Sequence, residues 1–308
     1  MPNPHNNGIT TDKRGNTMMR ILLFLATNIA VMIVISILFN ILGFSGYVTA
    51  QGLDLKALLM MSAVIGMTGS VISLAMSKMM AKNSMGVVVI EHPQNQTERW
   101  LYDVVARQAK QAGIGMPEVG IFQAGMPNAF ATGMSRNSSL VAVSTGLLQS
   151  MTPDEVEAVV GHEITHVANG DMVTMALMQG VLNTFVYFFA TIIGHVVDRA
   201  LSGNDERSGV GMGYYLTQMI AQIALGFLAS MLVCWFSRWR EFRADAGGAS
   251  LAGRQKMIGA LRALQRSHDE QELPGQFAAF GINGGGIQRL FMTHPPLEER
   301  IAALQNSQ

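Results

Sequence analysis

Residues 161–166 read Gly-His-Glu-Ile-Thr-His. Histidines four apart on a helix lie one above the other, so His162 and His166 would present both imidazoles to one point. That is chelate geometry for zinc, and Glu163 beside it is placed to take a proton from water at the metal. Composition alone would produce His-Glu-x-x-His roughly 0.006 times in a chain of this kind, so chance is a poor account of it. Upstream, Thr152-Pro153-Asp154-Glu155 opens a helix, with Thr as cap, Pro in the first turn and Glu155 able to complete a capping box. The implied chemistry is metal-assisted hydrolysis, with Glu163 as general base.

A catalytic zinc site takes three protein ligands and keeps one position open. No third histidine follows at short spacing, because after His166 the chain reads Val-Ala-Asn-Gly-Asp, so the third ligand must come from elsewhere. Ser237-Arg238-Trp239-Arg240-Glu241-Phe242-Arg243-Ala244-Asp245 places two acids four apart. Glu241 is the natural ligand, and Asp245 can accept the free ring N–H of a liganding histidine. Taken alone, these acids serve equally well as partners for Arg238, Arg240 and Arg243.

The elements that must position these residues are legible in the charge pattern. The chain of 308 residues has 21 basic and 21 acidic side chains, net charge zero, and only 14% charged residues, against about 25% in an ordinary soluble domain. Zero net charge argues against a nucleic-acid partner, and one cysteine excludes a disulfide framework or a Cys-rich zinc module. Four stretches are uncharged: Ile21–Leu42, residues 57–77, Met172–Val197 and Ser208–Ser237. The first two are long enough to cross a ~30 Å hydrocarbon core and read as a transmembrane hairpin. The second pair carries Asn183, His195, Gln218 and Gln222, and a buried core hairpin is its alternative. The first run is too long for the apolar region of a secretory signal. Basic residues before the first segment, after the second (Lys78, Lys82) and after the fourth (Arg238, Arg240, Arg243, Arg254, Lys256) place those ends in the cytoplasm. Glu241 can meet His162 and His166 only if the chain between them crosses the membrane an even number of times, and segments three and four supply two crossings.

Residues 84–171 read as a soluble α/β stretch, with strands at Val87–Ile90, Val119–Phe122 and Ser139–Val143 and a helix over Gln96–Gln111. Further helices are expected over 241–267 and 297–305, and Gly281–Gly286 is a loop by composition. The expected organisation is a disordered extension over 1–19, a transmembrane hairpin over 20–80, and the first part of a protease domain over 84–171. A second hairpin over 172–237 and the rest of that domain over 238–308 follow.

The segments 161–166, Asn169-Gly170-Asp171, Glu241–Asp245, Asn128-Ala129-Phe130-Ala131-Thr132-Gly133 and Thr293-His294-Pro295-Pro296 together resemble the HtpX family of bacterial membrane-bound heat-shock zinc proteases. That family is related to the CaaX prenyl proteases of the gluzincin clan. The resemblance runs from Met19 onward, and residues 1–18 precede the usual start of such proteins. It implies a mainly α integral membrane protein with a small β-sheet, a gluzincin-like domain and about four transmembrane helices. It further implies one Zn2+ per subunit on His162, His166 and Glu241, with Glu163 as base and Asp245 in support. By the same resemblance, Asn128, Ala129 and Phe130 hold substrate along an edge strand and His294 approaches the scissile carbonyl. Read without it, Asn128 is as readily a turn residue after Pro127, and His294 a loop histidine. The implied setting is the bacterial inner membrane, multi-pass, with the active site on the cytoplasmic side. The implied substrates are membrane proteins and unfolded polypeptides in envelope quality control, with other membrane quality-control proteases as partners. Two competitors remain: a CaaX-type processing enzyme, against which four segments rather than a large chamber speak, and a non-catalytic scaffold clipped by zinc. A clip has no use for Glu163, and the only cysteine, Cys234, lies inside segment four.

Overall fold

The computed structural model describes residues 33, 37, 41, 48–49, 52–202, 211–269 and 290–306. The expected extension over 1–19, the glycine-rich loop and all of Ile21–Leu42 except the helical, exposed Ile33, Ile37 and Ile41 lie outside the described residues.

Three described helices are long and apolar enough to cross a membrane: α1 (Leu55–Met85), α5 (Asp171–Ser202) and α6 (Met212–Ala252). Asp54 caps α1, its carboxylate accepting from the backbone of Lys56 and Ala57. Gly86, at φ 63°, ends the helix in a left-handed turn that glycine adopts without steric cost. Apolar side chains on these helices point outward, among them Val181, Phe185, Ile220, Ile223 and Phe227, as lipid rather than water would favour. Where α1 crosses α5 the backbones nearly touch: a Cβ on Gly66 would lie 2.6 Å from Thr184 N and 2.7 Å from Gly180 O. Dispersion at such close crossings is what joins helices in lipid. At the far end of the hairpin formed by α5 and α6, Asp198 accepts from Gly211 N and Tyr214 N, both at 3.1 Å. It thereby caps a helix whose own N-cap residue, Gly211, has no side chain to do so.

The remaining elements form the domain that positions the site. Besides the paired short strands β1 (Val48–Thr49) and β2 (Gly52–Leu53), which precede α1, they are β3 (Val88–Val89), α2 (Gln96–Gln111), β4 (Glu118–Phe122), β5 (Ala129–Ser135) and β6 (Ser138–Ser144). The helices α3 (Thr145–Ser150), α4 (Pro153–Asn169), α7 (Arg254–Asp269) and α8 (Leu297–Asn306) follow. The four-stranded sheet has the order β3-β4-β6-β5, with β4 and β6 parallel and β5 antiparallel to β6. β5 is therefore an edge. Leu101, Val105, Val119, Val141, Leu147, Val160, Ile164 and Leu261 are fully buried in the core between the sheet, α2, α4 and α7. Burial of this size, about 1.5–3 kcal/mol per large aliphatic side chain, fixes α4 against the sheet.

One expected boundary moves, and one strand appears where periodicity marks none. The helix expected over 241–267 is two helices: α6 continues unbroken from the apolar segment through Glu241 and Asp245 to Ala252, and the break falls at Gly253, φ 108°. Hydropathy changes at Arg238, but the helix runs unbroken from there to Ala252 and ends at a glycine with positive φ. The segment 129–135, with no alternation of polar and apolar residues, is a strand because Val141 and its neighbours on β6 pair with it.

Candidate metal centre

The zinc motif sits in the last two turns of α4. The capping box at its start is formed, with Thr152 Oγ1 accepting from Glu155 N at 3.4 Å and Glu155 Oε2 accepting from Thr152 N at 2.8 Å. α6 lies hard against this helix at His162: a Cβ on Gly248 would come within 3.0 Å of His162 N and 3.2 Å of its Cα. The absent side chain lets α6 approach closely enough for Asp245 and Glu241, one and two turns earlier, to reach the histidines.

The rings of His162 and His166 stand perpendicular with centroids 4.7 Å apart. Their Nε2 atoms are 3.1 Å apart, and each lies 3.4 Å from one oxygen of Glu241. The outer nitrogens face carboxylates: His162 Nδ1 meets Asp245 Oδ1 at 2.9 Å, and His166 Nδ1 meets Asp171 Oδ2 at 2.7 Å. Ionised carboxylates only accept, so both Nδ1 atoms carry the proton, and in the neutral rings both Nε2 lone pairs point at each other and at the buried Glu241. Three converging lone pairs require a cation. A tetrahedral zinc with ligands at about 2.0–2.1 Å has donor-to-donor edges of roughly 3.3–3.4 Å, so the triad matches that ion in donor chemistry and spacing.

The electrostatics state the same demand for positive charge. Burial pulls the pKa of His166 down, but hydrogen bonds to Asp171 and Glu241 outweigh it and push it up to about 9. His162 behaves alike: burial lowers its pKa, and Asp245 and Glu241 raise it above the ordinary value by more.

Around the triad lies a cavity of about 380 Å³, lined on its polar side by Asn128, Glu163, Glu241, His294 and Arg300 and walled by Val159, Leu261, Leu264 and Met292. Glu163 is half-buried there, next to the donors. His294 reaches in from a strap laid along α6, its Nδ1 2.8 Å from Glu241 Oε2. The strap is held by Arg238, which donates to Met292 O at 2.6 Å, and by Phe291 against Phe227, with ring centroids 4.3 Å apart.

Ala129 also lines the cavity, but Phe130 does not: its ring packs the opposite way on Phe122, centroids 5.5 Å apart. Alternation along a strand requires this. The backbone follows the same rule. Ser144 N donates to Asn128 O at 2.8 Å, so the pairs with odd-numbered β5 residues, Ala129 with Val143 and Ala131 with Val141, are the non-hydrogen-bonded ones. The amides and carbonyls of Ala129 and Ala131 therefore face the free edge, while those of Phe130 are spent on β6.

Three residues of the site carry no sequence signal strong enough to single them out. Asp171 lies five residues after His166, and only the left-handed Gly170, φ 69°, swings it back under the ring. Arg300 clamps Asp245 with two bonds, Nε to Oδ2 at 2.7 Å and Nη2 to Oδ1 at 2.6 Å, from a helix 55 residues away. Arg238 acts through the strap.

The sequence model of peptidase family M48 matches residues 95–308. Protease HtpX of Pseudoalteromonas atlantica is 61% identical over 290 residues, covering 94% of this chain and 99% of that one. Protease HtpX of Stenotrophomonas maltophilia is 59% identical over 288 residues, with 94% and 98% covered. The crystal structure of S. mikatae Ste24p shares the fold with a TM-score of 0.65 at 18% identity; the match covers 94% of this chain and 65% of that longer one. The chain therefore belongs to peptidase family M48, among its HtpX-type members.

Proposed function

We propose that this membrane metalloprotease is a zinc endopeptidase that cleaves membrane proteins, and unfolded polypeptides, at the cytoplasmic face of the bacterial inner membrane in envelope quality control. The observation that carries the reading is the convergence of three buried lone-pair donors with Glu163 and a free strand edge in one cavity. A structural clip needs the donors but neither Glu163 nor the edge. The cytoplasmic assignment rests on the basic residues flanking the helices, Lys78, Lys82, Arg238, Arg240 and Arg243.

His162, His166 and Glu241 would hold the zinc, which when bound polarises the peptide carbonyl and acidifies water. The chain's own residues carry the rest. The amides and carbonyls of Ala129 and Ala131 would pair with an extended substrate backbone, as β-augmentation does elsewhere, with Asn128 at the end of that edge. Glu163 would take a proton from the attacking water and hand it to the leaving amine. His294 would donate to the oxyanion that develops on the carbonyl. Asp171 and Asp245 hold both imidazoles in the tautomer that leaves Nε2 unprotonated.

The test is metal analysis with cleavage of casein and of a single-pass membrane protein by the detergent-purified wild type and by Glu241→Ala. The wild type should carry one zinc per chain and cut both, and the variant should lose metal and activity together. Undiminished zinc in Glu241→Ala would remove it from the ligand set.

A further inference from the structure

The free edge of β5 does not end at the zinc cavity. Three residues beyond Ala129, on the other face of β5, which Phe130 also occupies, Thr132 lines a second cleft of about 380 Å³, cut between the membrane helices α1 and α5. Ser70, Ser73 and Ser77 wall it on α1, and Gln179 and Asn183 on α5. The cleft runs from Ser77 to Gly69 and from Met172 to Asn183, roughly 12 and 17 Å at 1.5 Å per residue. Lys78 and Lys82 on α1 and Asp171 on α5 mark where charge returns. The mouth of the cleft, at Ser77 and Thr132, therefore lies at the membrane boundary, and its inner end lies at hydrocarbon depth.

Polar side chains at that depth are costly and mark sites of function. Apart from Ser70, whose hydroxyl lies against Gly180, these are not consumed by the packing of the two helices. That crossing uses the neighbouring Gly66, Gly180 and Thr184, while Ser70 bonds back to Gly66 O at 3.2 Å and Thr184 to Gly180 O at 2.8 Å. Beside it, the hydroxyl of Ser77 is buried and meets no partner among the described residues. Gln179 donates to Asn183 at 2.8 Å, a bond that leaves the pair one carbonyl and further N–H donors to offer. A Cβ on Gly69 would meet nothing within 4 Å among the described residues.

We propose that this cleft receives the boundary end of a substrate's transmembrane segment, locally unwound, and passes it along the β5 edge to the metal centre. The proposal rests on the protease reading above and names its substrate class: integral membrane proteins whose spans carry small or polar residues near the cytoplasmic boundary. The physical need is specific. An unwound backbone inside a bilayer must have its amides and carbonyls satisfied by protein, and serine hydroxyls, carboxamides and Thr132 supply both donors and acceptors where lipid supplies neither. From Thr132 to Ala129 is three residues, about 10 Å of extended chain at ~3.3 Å each. The scissile bond therefore lies about three to five residues from the first residue held in the cleft. A soluble unfolded chain needs only β5 and the zinc cavity.

The experiment places a benzophenone amino acid at Ser73 or Asn183 in the full-length Glu163→Gln protein, reconstituted in liposomes with a single-pass membrane protein. Val71 and Leu177, exposed on other faces of the same helices, are the control positions. Cross-links from the two cleft positions to the substrate's span, absent from the controls, are expected. Equal cross-linking at all four positions overturns the proposal, as do cross-links confined to the enzyme's own chain or to a second copy. In the active protein, Ser73→Leu with Asn183→Leu should lower kcat/KM on the membrane substrate relative to casein tenfold or more, and an unchanged ratio is the contrary result. Because the cross-link is read without turnover, failure of the wild type to cut casein would refute the protease reading separately and leave the cleft judged by the cross-link.

Discussion

Asp171 and Asp245 make the same bond to equivalent histidines, yet the structure separates the consequences of losing them. Asp171→Ala removes the acceptor for His166 Nδ1, a charge-assisted bond at 2.7 Å worth about 1.5–3 kcal/mol. Its other neighbour, Arg240, keeps Glu241 at 3.9 Å. The cost falls on the tautomer and aim of one ligand, so zinc affinity should drop about 10–100-fold, which is about 1.4–2.7 kcal/mol and in line with the bond. Asp171→Asn retains a neutral acceptor and should lose less. Asp245→Ala does more, because it also strips the two-bond clamp from Arg300, whose side chain is only 7% exposed. The guanidinium is left with Glu241 at 3.7 Å, and breaking a buried ion pair by removing one partner costs about 3–5 kcal/mol, a large part of a domain's ~5–15 kcal/mol. Chelator competition measures the first effect, and thermal unfolding in detergent measures the second. Asp171→Ala should fold and bind zinc weakly, and Asp245→Ala should be unstable even with zinc in excess. Equal melting temperatures for the two variants, or wild-type zinc affinity in Asp171→Ala, would refute the reasoning.

Other perturbations test other joints of the structure. Gly248→Ala puts a methyl against the backbone of His162, and forcing α6 away should cost about 1–3 kcal/mol and lower zinc occupancy, read by unfolding and metal content. Arg238→Ala frees the strap that carries His294; kcat should fall by an order of magnitude or so, the equivalent of one charge-assisted bond of ~1.5 kcal/mol, with zinc retained. Glu118 accepts from Lys78 at 2.6 Å and also pairs with Lys82. Burial raises its pKa, but the two lysines outweigh that and hold it below the ordinary carboxylate value. A depressed pKa contributes stability above the unfolded value of about 4.3 that is lost as pH falls through the folded one. Glu118→Gln should therefore melt slightly below wild type at neutral pH, by the ~0.2–1 kcal/mol of a solvent-screened pair, and the difference should vanish in acid below the folded pKa.

How much of this was legible in the sequence depends on the range of the interaction. The zinc helix could be read because a four-residue spacing and a capping box are local, and Glu241 because an even number of crossings returns the chain to the same face. Asp171 needed the left-handed turn at Gly170, which spacing alone does not disclose. Arg300 needed a long-range contact between α8 and α6. The family resemblance puts Phe130 on the substrate with its neighbours, but strand alternation turns its ring toward Phe122 and its backbone toward β6. The break placed at Arg238 followed hydropathy, whereas helix continuity depends on backbone conformation and held as far as Gly253.

The central claim is that Glu163 moves protons in peptide hydrolysis at a zinc held by His162, His166 and Glu241. Its most direct test is Glu163→Gln, an isosteric change at a residue outside the donor triad, with zinc content and casein cleavage measured on one preparation. About one zinc per chain is expected, with cleavage reduced by the roughly 10²–10⁴-fold that a positioned acid–base group contributes. Wild-type cleavage by a zinc-loaded Glu163→Gln protein would contradict the claim.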